Sequence, residues 1–294
     1  MTPRLRASAS GLDKDTCPTP ESNPGPVDPK AAHLTTRPLL SRASSPTFDP
    51  DALYYDMSGV KHMIILNQHI FQKTRYFKYQ QPSTRNGTDQ DVKSLKLLFG
   101  QLGFEVTVYK DLEYEQIIKV LKQFISKDHS QTSCICITIL THGDKGGELH
   151  AADRPYLFSD LVTIFEQEAS LINKPKLFFI QACRGGNVDA GNTVQLDSES
   201  DCILTVPTHA DFLILYSTVE DYLSYRDVNG SWMIQALCDV IATHKDLDLL
   251  HLITLINRKV AYEKVTYVPR NAKLDNKKQM PETRFTLTKL LKFY

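Results

Sequence analysis

Short apolar runs alternate with amphipathic stretches along this chain from about residue 60 onward. Apolar runs of four to eight residues bounded by turn residues are typical of buried strands, and apolar residues spaced three or four apart are typical of helices. Strands are predicted at 63–66, 104–109, 134–140, 177–181, 211–216 and 284–287. Helices are predicted at 88–100 (with Thr88 as the cap), 114–126, 158–167, 231–244 and 249–262. This alternation predicts an α/β fold with a mostly parallel sheet between layers of helices.

Two segments depart from this pattern. Residues 1–50 hold nine of the fifteen prolines and show no helical period, so they are predicted to be disordered or loosely ordered. Residues 187–208 are polar and also lack periodicity. A stretch of that length inside a compact domain is usually functional or disordered.

Composition narrows the function classes. The 294 residues are 41% hydrophobic, which is enough for one sizeable core. Lys plus Arg and Asp plus Glu both number 34, so the net charge is zero and nothing favours nucleic acid or an anionic membrane as a partner. No run is long enough to span a membrane and no signal peptide is evident, so a cytoplasmic protein is expected.

The cysteines are expected to be free thiols, as is usual in a cytosolic chain. There are six, at positions 17, 134, 136, 183, 202 and 238. Cys134 and Cys136 are two apart in a predicted strand, so they should share one buried face. No pair has zinc-ligand spacing with a matching partner pair, and we predict neither a metal nor a cofactor.

Candidate chemistry lies where two of the predicted strands end. One strand runs into Thr141-His142-Gly143, and another runs into Gln181-Ala182-Cys183-Arg184-Gly185. In open α/β sheets, ligands bind at the carboxyl ends of strands. Neighbouring strands that end in this way would place an imidazole base beside a thiol.

The five residues Gln181 to Gly185 match the signature of the caspases. From about Tyr54 to Tyr294 the chain resembles that family and is identified as a short-prodomain, executioner-like member of invertebrate type. The resemblance implies a three-layer sandwich around a six-stranded, mostly parallel sheet. It also implies a cysteine endopeptidase that cleaves after Asp, is made as a zymogen, and acts in apoptosis or related proteolytic signalling.

The resemblance assigns roles to several residues. Cys183 would be the nucleophile, His142 would protonate the leaving amine, and the backbone N–H groups of Gly143 and Cys183 would bind the oxyanion. No Asp or Asn is evident as a third member, so a backbone carbonyl is an alternative group to orient the imidazole.

A buried substrate carboxylate needs charged partners, and the arginine fork suits it. Arg85, Arg226 and Gln181 match the family's aspartate pocket. The other residues that would contact substrate are Ser224, Leu223, Tyr225, Trp232 and Thr141. Leu223 and Tyr225 stand where larger aromatics are often found in the family, so preference beyond Asp is open.

The resemblance also implies processing and assembly. Residues 1–51 would form the prodomain, 52–197 the large subunit and 198–294 the linker and small subunit, with 52–294 as one caspase-fold domain. Asp197 is the first candidate for the internal cleavage site, Asp201 the second, and Asp51 the candidate at the prodomain. A homodimer of large and small units, an upstream caspase and inhibitor proteins are the expected partners, besides protein substrates.

Two alternatives are weighed against this hypothesis. A catalytically silent homologue acting as a binding or decoy partner is disfavoured because the catalytic and pocket residues are all present. A related cysteine peptidase that prefers a basic or Asn residue would need an acidic pocket in place of Arg85 and Arg226.

Overall fold

The computed structural model describes residues 49, 51–166, 168–187 and 210–294. The strands are β1 (Val60–Asn67), β2 (Phe104–Lys110), β3 (Thr132–Leu140), β4 (Gly143–Asp144), β5 (Glu148–His150), β6 (Pro155–Leu157), β7 (Lys176–Gln181), β8 (Phe212–Tyr216), β9 (Arg226–Asp227), β10 (Gly230–Ser231) and β11 (Glu282–Phe285). The helices are α1 (Thr88–Gln101), α2 (Tyr114–Ile125), α3 (Phe158–Glu166), α4 (Trp232–Thr243) and α5 (Leu249–Glu263). Short 3₁₀ turns lie at Arg75–Phe77, Lys145–Gly147 and Ala169–Leu171.

The main sheet has six strands in the order β11-β8-β7-β3-β1-β2. Five of them are parallel, and β11 pairs antiparallel with β8 at one edge. The predicted mostly parallel, six-stranded sheet is confirmed. Two small sheets, β4-β5-β6 and β9-β10, were not predicted. Their strands have only two or three residues, which is too few to show an alternation of apolar and polar positions.

A helical layer packs on each face of the sheet. Side chains of α1, α4 and α5 form one core with alternate strand residues such as Met63 and Phe179. The intervening strand residues, such as Ile64 and Phe178, pack against α2 and α3. Strands covered on both faces are apolar throughout, which is why β3, β7 and β8 are buried at every position.

The predicted elements are all present apart from small shifts at their ends, with two further differences of detail. Gly87, in the left-handed region at φ 88°, precedes α1 as its cap, so the prediction that Thr88 caps the helix is wrong. The Thr88 hydroxyl instead donates to the Asn67 side chain. The last strand is Glu282–Phe285, because it lies at the sheet edge and its partly exposed residues show no apolar pattern. Helix α3 is described to Glu166.

Cys134 and Cys136 share the face covered by α1, α4 and α5, as predicted. Both are fully buried, and burial raises the pKa of each thiol. They are inert parts of the core.

A buried carboxylate joins three distant parts of the chain. Asp211, 2% exposed at the start of β8, accepts hydrogen bonds from the hydroxyls of Tyr55 and Thr288, each at 2.6 Å. The Tyr55 hydroxyl also accepts a hydrogen bond from the backbone N–H of Thr288 at 3.0 Å. The backbone N–H of Tyr55 donates to the Leu290 carbonyl. The segments before β1 and after β11 are therefore fastened together at β8.

Replacing Tyr55 with Phe should destabilise the protein by about 1–3 kcal/mol, because a buried carboxylate then loses one of its two hydroxyl donors. The midpoint of urea unfolding measures this change. Tyr79→Phe is the matched control, since Tyr79 is 67% exposed and its hydroxyl has no partner among the described residues. Equal midpoints for the two variants would contradict the prediction.

Candidate active site

The sheet places an imidazole and a thiol at the same height. Strands β3 and β7 are parallel neighbours, and Leu140 is directly opposite Gln181 in their register. His142 and Cys183 each follow two residues later, and the N–H of Thr141 donates to the Gln181 carbonyl at 3.1 Å. Adjacent parallel strands thus bring the two side chains to one edge of the sheet.

A backbone carbonyl orients the imidazole. Nε2 of His142 donates to the Ser83 carbonyl at 2.7 Å, and the Ser83 hydroxyl lies 3.3 Å from the same nitrogen. The Phe71 ring packs on the imidazole with 4.9 Å between centroids. With Nε2 as the donor, the neutral ring carries its lone pair on Nδ1.

Burial keeps this imidazole neutral. It lowers the pKa of His142 to about 4, and the charges of Arg85, His150 and Arg226 act in the same direction, while the Ser83 carbonyl opposes them. A neutral ring at neutral pH can accept a proton from the thiol and later release it.

The thiol of Cys183 is half-buried and covered by one residue. The backbone N–H of Ser224 donates to Sγ at 3.5 Å, and the Ser224 carbonyl lies 3.9 Å from Sγ. Burial raises the pKa of Cys183, while the Ser224 N–H, Arg85 and Arg226 oppose that rise. The resting thiol is therefore protonated, and the pair with His142 is neutral.

Gly143 lies against the cysteine backbone. A Cβ built on Gly143 would be 2.5 Å from the Cys183 carbonyl oxygen and 2.7 Å from that of Glu148, so no side chain fits at this position. The backbone after β3 therefore contacts the backbone after β7 at Gly143 and Cys183, whose N–H groups are the predicted oxyanion donors.

Arg85 is buried although no acidic side chain among the described residues forms an ion pair with it. The residue is 2% exposed, and its NH1 group donates to the Gln68 carbonyl and to the Thr88 hydroxyl, each at 2.9 Å. Burial lowers the pKa of Arg85 to about 9, and the nearby charge of Arg226 adds to this effect. The guanidinium remains protonated at neutral pH.

Arg226 and Gln181 lie in the same cleft. Arg226 is half-buried at the start of β9, and a Cβ on Gly87 would lie 3.6 Å from its Cδ. The Gln181 side chain donates through Nε2 to the Ser224 hydroxyl at 2.5 Å. The charges of Arg85 and Arg226 both oppose the rise in the pKa of Cys183 that burial causes, which indicates that the three groups lie near one another.

A short backbone ladder holds Ser224 in place. The N–H of Arg184 donates to the Tyr222 carbonyl at 3.0 Å, and the N–H of Leu223 donates to the Asn187 carbonyl at 2.9 Å. Ser224 is one of the residues predicted to contact substrate. In this structure its backbone contacts the thiol of Cys183, and its hydroxyl accepts the hydrogen bond of the Gln181 side chain.

The remaining predicted contact residues lie beside this ladder. Thr141 is buried and donates to the His150 carbonyl at 2.5 Å. Leu223 and Tyr225 are half-buried, and Trp232 is 5% exposed beneath the Tyr225 ring, with centroids 5.0 Å apart. Trp232 is thus part of the core in this conformation and offers little surface to a ligand.

Sequence reasoning missed several residues that position the cleft. Phe71 and Ser83 hold the imidazole. Gln279, 1% exposed, accepts from the Tyr225 N–H at 2.6 Å and donates to the Ser217 carbonyl at 2.8 Å. Asp91 is 1% exposed, and its charge acts on both arginines. No local pattern marks these residues, since each acts through contacts distant in sequence.

The predicted cleavage residues Asp197 and Asp201 lie outside the described residues. Asp51 is described and exposed. In the described ranges, none of the helices has the length and apolar character needed to cross a membrane.

Comparison with known proteins gives a consistent result. A family model for the caspase domain (Peptidase_C14) matches residues 61–292. Caspase drICE of Drosophila melanogaster is 38% identical over 227 residues, which is 74% of this chain and 67% of that protein. Caspase-7 of Gallus gallus is 37% identical over 265 residues, covering 86% of this chain and 82% of that protein. The crystal structure of Caspase-1 from Spodoptera frugiperda is similar with a TM-score of 0.75 and 36% identity, covering 85% of this chain and 96% of that one.

The neutral state of His142 can be tested by titration. Because burial lowers the pKa of His142 to about 4, its ring should gain a proton only near that pH and stay unchanged between about pH 6 and 8. Proton NMR of the ring follows this, with the resonance assigned by its loss in His142→Gln. A midpoint at or above the usual 6.5 would show that the ring is not held neutral.

Proposed function

This chain belongs to the caspase family, and from that premise we propose how its own residues carry out the hydrolysis of peptide bonds after aspartate. It is a cysteine-type endopeptidase that acts on proteins in apoptosis or related proteolysis. One observation supports the proposal: Cys183, an imidazole held by a backbone carbonyl, and two guanidinium groups lie near one another, and neither guanidinium forms an ion pair in the part of the chain that the structure describes.

Substrate binding begins by displacing Ser224. The aspartate side chain of the substrate enters between Arg85 and Arg226 and takes the Gln181 donor that the Ser224 hydroxyl holds in the free protein. Movement of the Ser224 main chain frees Sγ of Cys183 and releases backbone groups for pairing with an extended substrate. The substrate therefore makes the contacts that Ser224 makes at rest.

The chemistry is acyl transfer through a thioester. The thiol proton passes to the neutral His142, and the sulfur attacks the carbonyl carbon of the substrate aspartate. The N–H groups of Gly143 and Cys183 stabilise the oxyanion, and the close approach at Gly143 supports this role. His142 then gives its proton to the leaving amine. Water hydrolyses the thioester and restores the thiol.

Specificity follows from charge. Hydrogen bonds to charged groups are worth about 1.5–3 kcal/mol each, so two arginines binding one carboxylate discriminate against a neutral isostere by orders of magnitude. The buried, basic lining supports preference for aspartate over a basic residue. It disfavours the alternative of a peptidase for basic or Asn residues.

The first test compares peptide reporters. The processed protein should cleave a reporter ending in Asp at least about a hundredfold faster than the same reporter ending in Asn, as two charged hydrogen bonds imply. A reporter ending in Lys should not be cleaved. Cys183→Ala should abolish all cleavage, while Cys238→Ala should retain it, because Cys238 belongs to α4. Cleavage of the Lys reporter instead would overturn the specificity proposal.

We further propose that the chain is a zymogen cut between β7 and β8. Residues 1–51 are the proposed prodomain, 52–197 the large subunit and 198–294 the linker and small subunit. Asp197 is the proposed internal site, with Asp201 second. Asp51 is exposed and precedes Ala52, which supports its access to a protease.

The second test follows processing by intact-mass analysis of the purified protein. Asp197→Ala should block or slow production of the large and small fragments. Asp189→Ala is the matched control, since it removes a carboxylate from the same segment without touching the proposed site. Fragments with the same boundaries as those of the unaltered protein would rule out Asp197.

The proposed assembly is a homodimer of large and small units. Strand β11 lies at the edge of the sheet, and Phe285 on it is 50% exposed, which supports pairing with a second copy there. Arg184, next to the nucleophile, forms an ion pair with Glu282 of this strand, so the edge and the cleft are connected. An upstream caspase, inhibitor proteins and a cytoplasmic location are proposed from the family alone.

A further inference from the structure

We propose that Asp91 is a positioning residue of the aspartate pocket and acts as its resident counter-charge. In the empty site its carboxylate stabilises Arg85 and Arg226, and on binding it shares these two guanidinium groups with the carboxylate of the substrate. This inference rests on the proposed function, because it concerns how the same pocket selects an acidic side chain.

Two hydrogen bonds fix the Asp91 carboxylate in place. Asp91 lies in the first turn of α1 and is 1% exposed. Oδ1 accepts from the backbone N–H of Ser231 at 2.7 Å, and Oδ2 accepts from the Ser231 hydroxyl at 2.6 Å. Two accepting oxygens are the pattern of an ionised carboxylate. Both donors are neutral, so its charge is not cancelled where it is bound.

The surrounding backbone leaves room for this carboxylate. A Cβ on Gly230 would lie 2.3 Å from Oδ1 of Asp91, and Gly230 has φ 115°, in the left-handed region. Both the space and the backbone conformation therefore require glycine at that position. Ser231 in turn pairs with Arg226 across β9 and β10, so the carboxylate is anchored on the strand next to the one that carries the second arginine.

Charge links Asp91 to both arginines. Burial raises the pKa of Asp91, while the Ser231 donors and then the charges of Arg85 and Arg226 oppose that rise. The effect is reciprocal, since Asp91 opposes the lowering of the pKa of each arginine by burial. Within the described residues, neither guanidinium forms an ion pair within 4 Å, so Asp91 compensates their charge from a distance.

The two hydrogen bonds to Ser231 explain why the Asp91 carboxylate compensates the arginine charges without blocking the site. A carboxylate free to reach the guanidinium groups would bind them directly and exclude the substrate. Held on Ser231, Asp91 offsets their repulsion and leaves their N–H donors to the ligand. The resident and incoming carboxylates repel each other, so removing one should strengthen the binding of the other.

The test uses Asp91→Asn, which keeps the shape and one oxygen for Ser231 but removes the charge. We compare inhibition constants for two reversible peptide aldehydes that differ only in ending in Asp or Asn. The Asp aldehyde should bind to this variant roughly fivefold more tightly than to the unaltered protein, as a modest coupling between sites implies. The Asn aldehyde should be unaffected. The free variant should melt at a lower temperature, with the Asp aldehyde raising its melting temperature by more than in the unaltered protein.

A purely structural role for Asp91 would weaken both aldehydes alike, and that result, or weaker binding of the Asp aldehyde alone, would overturn the proposal. Asp89→Asn is the matched control and should change nothing, because Asp89 is on the same turn with a side chain 62% exposed.

Ser231→Ala tests the lock itself and covers the case in which Asp91→Asn does not fold. It keeps the charge and removes one of the two hydrogen bonds, so the carboxylate can turn toward the guanidinium groups. Binding of the Asp aldehyde should weaken, and unchanged or tighter binding would contradict the proposal. Cleavage of Asp reporters by the unaltered protein is measured in parallel, so failure of the proposed function is seen separately.

Discussion

The rest of this cleft depends on one constraint: two charged guanidinium groups, one buried and one half-buried, lie beside a thiol and form no direct ion pair within the described part of the chain. A direct ion pair would make the arginines easy to bury, but it would also fill the pocket. The free-energy cost of burying these charges is offset by other interactions. Arg85 donates to a carbonyl and a hydroxyl, and the Asp91 carboxylate held by Ser231 supplies a compensating negative charge.

The sheet makes this arrangement possible by holding four loops at one edge. The segments after β1, β3, β7 and β8 carry Arg85, His142, Cys183 and Arg226 respectively. Each loop starts from a strand buried on both faces, so its first residues are fixed by the core. The catalytic pair is neutral at rest because the same burial disfavours both the imidazolium and the thiolate.

Much of the fold could be predicted from the sequence, because strands buried on both faces are apolar throughout and the helices between them are amphipathic. The predicted range of β11 was wrong by two residues, because an edge strand lacks the continuous apolar pattern of a buried strand. In the site, the residues around Cys183 and His142 could be identified from the sequence because they belong to short motifs at strand ends. Asp91 and Gln279 could not, because their partners Ser231 and Tyr225 lie far away in sequence. The contact between Ser224 and the thiol depends on loop conformation, which no residue pattern encodes.

The adjacency of β7 and β8 has a consequence for a chain severed between them. These strands pair over five residues in the middle of the sheet, yet residues 182–211 separate them in sequence. One fragment would retain β1, β2, β3 and β7, and the other would retain β8, β11, α4 and α5. Neither fragment has a complete hydrophobic core, so recovery from denaturant would turn from a unimolecular reaction into an encounter of two polypeptides. Its rate and its midpoint would then depend on protein concentration, as mass action requires.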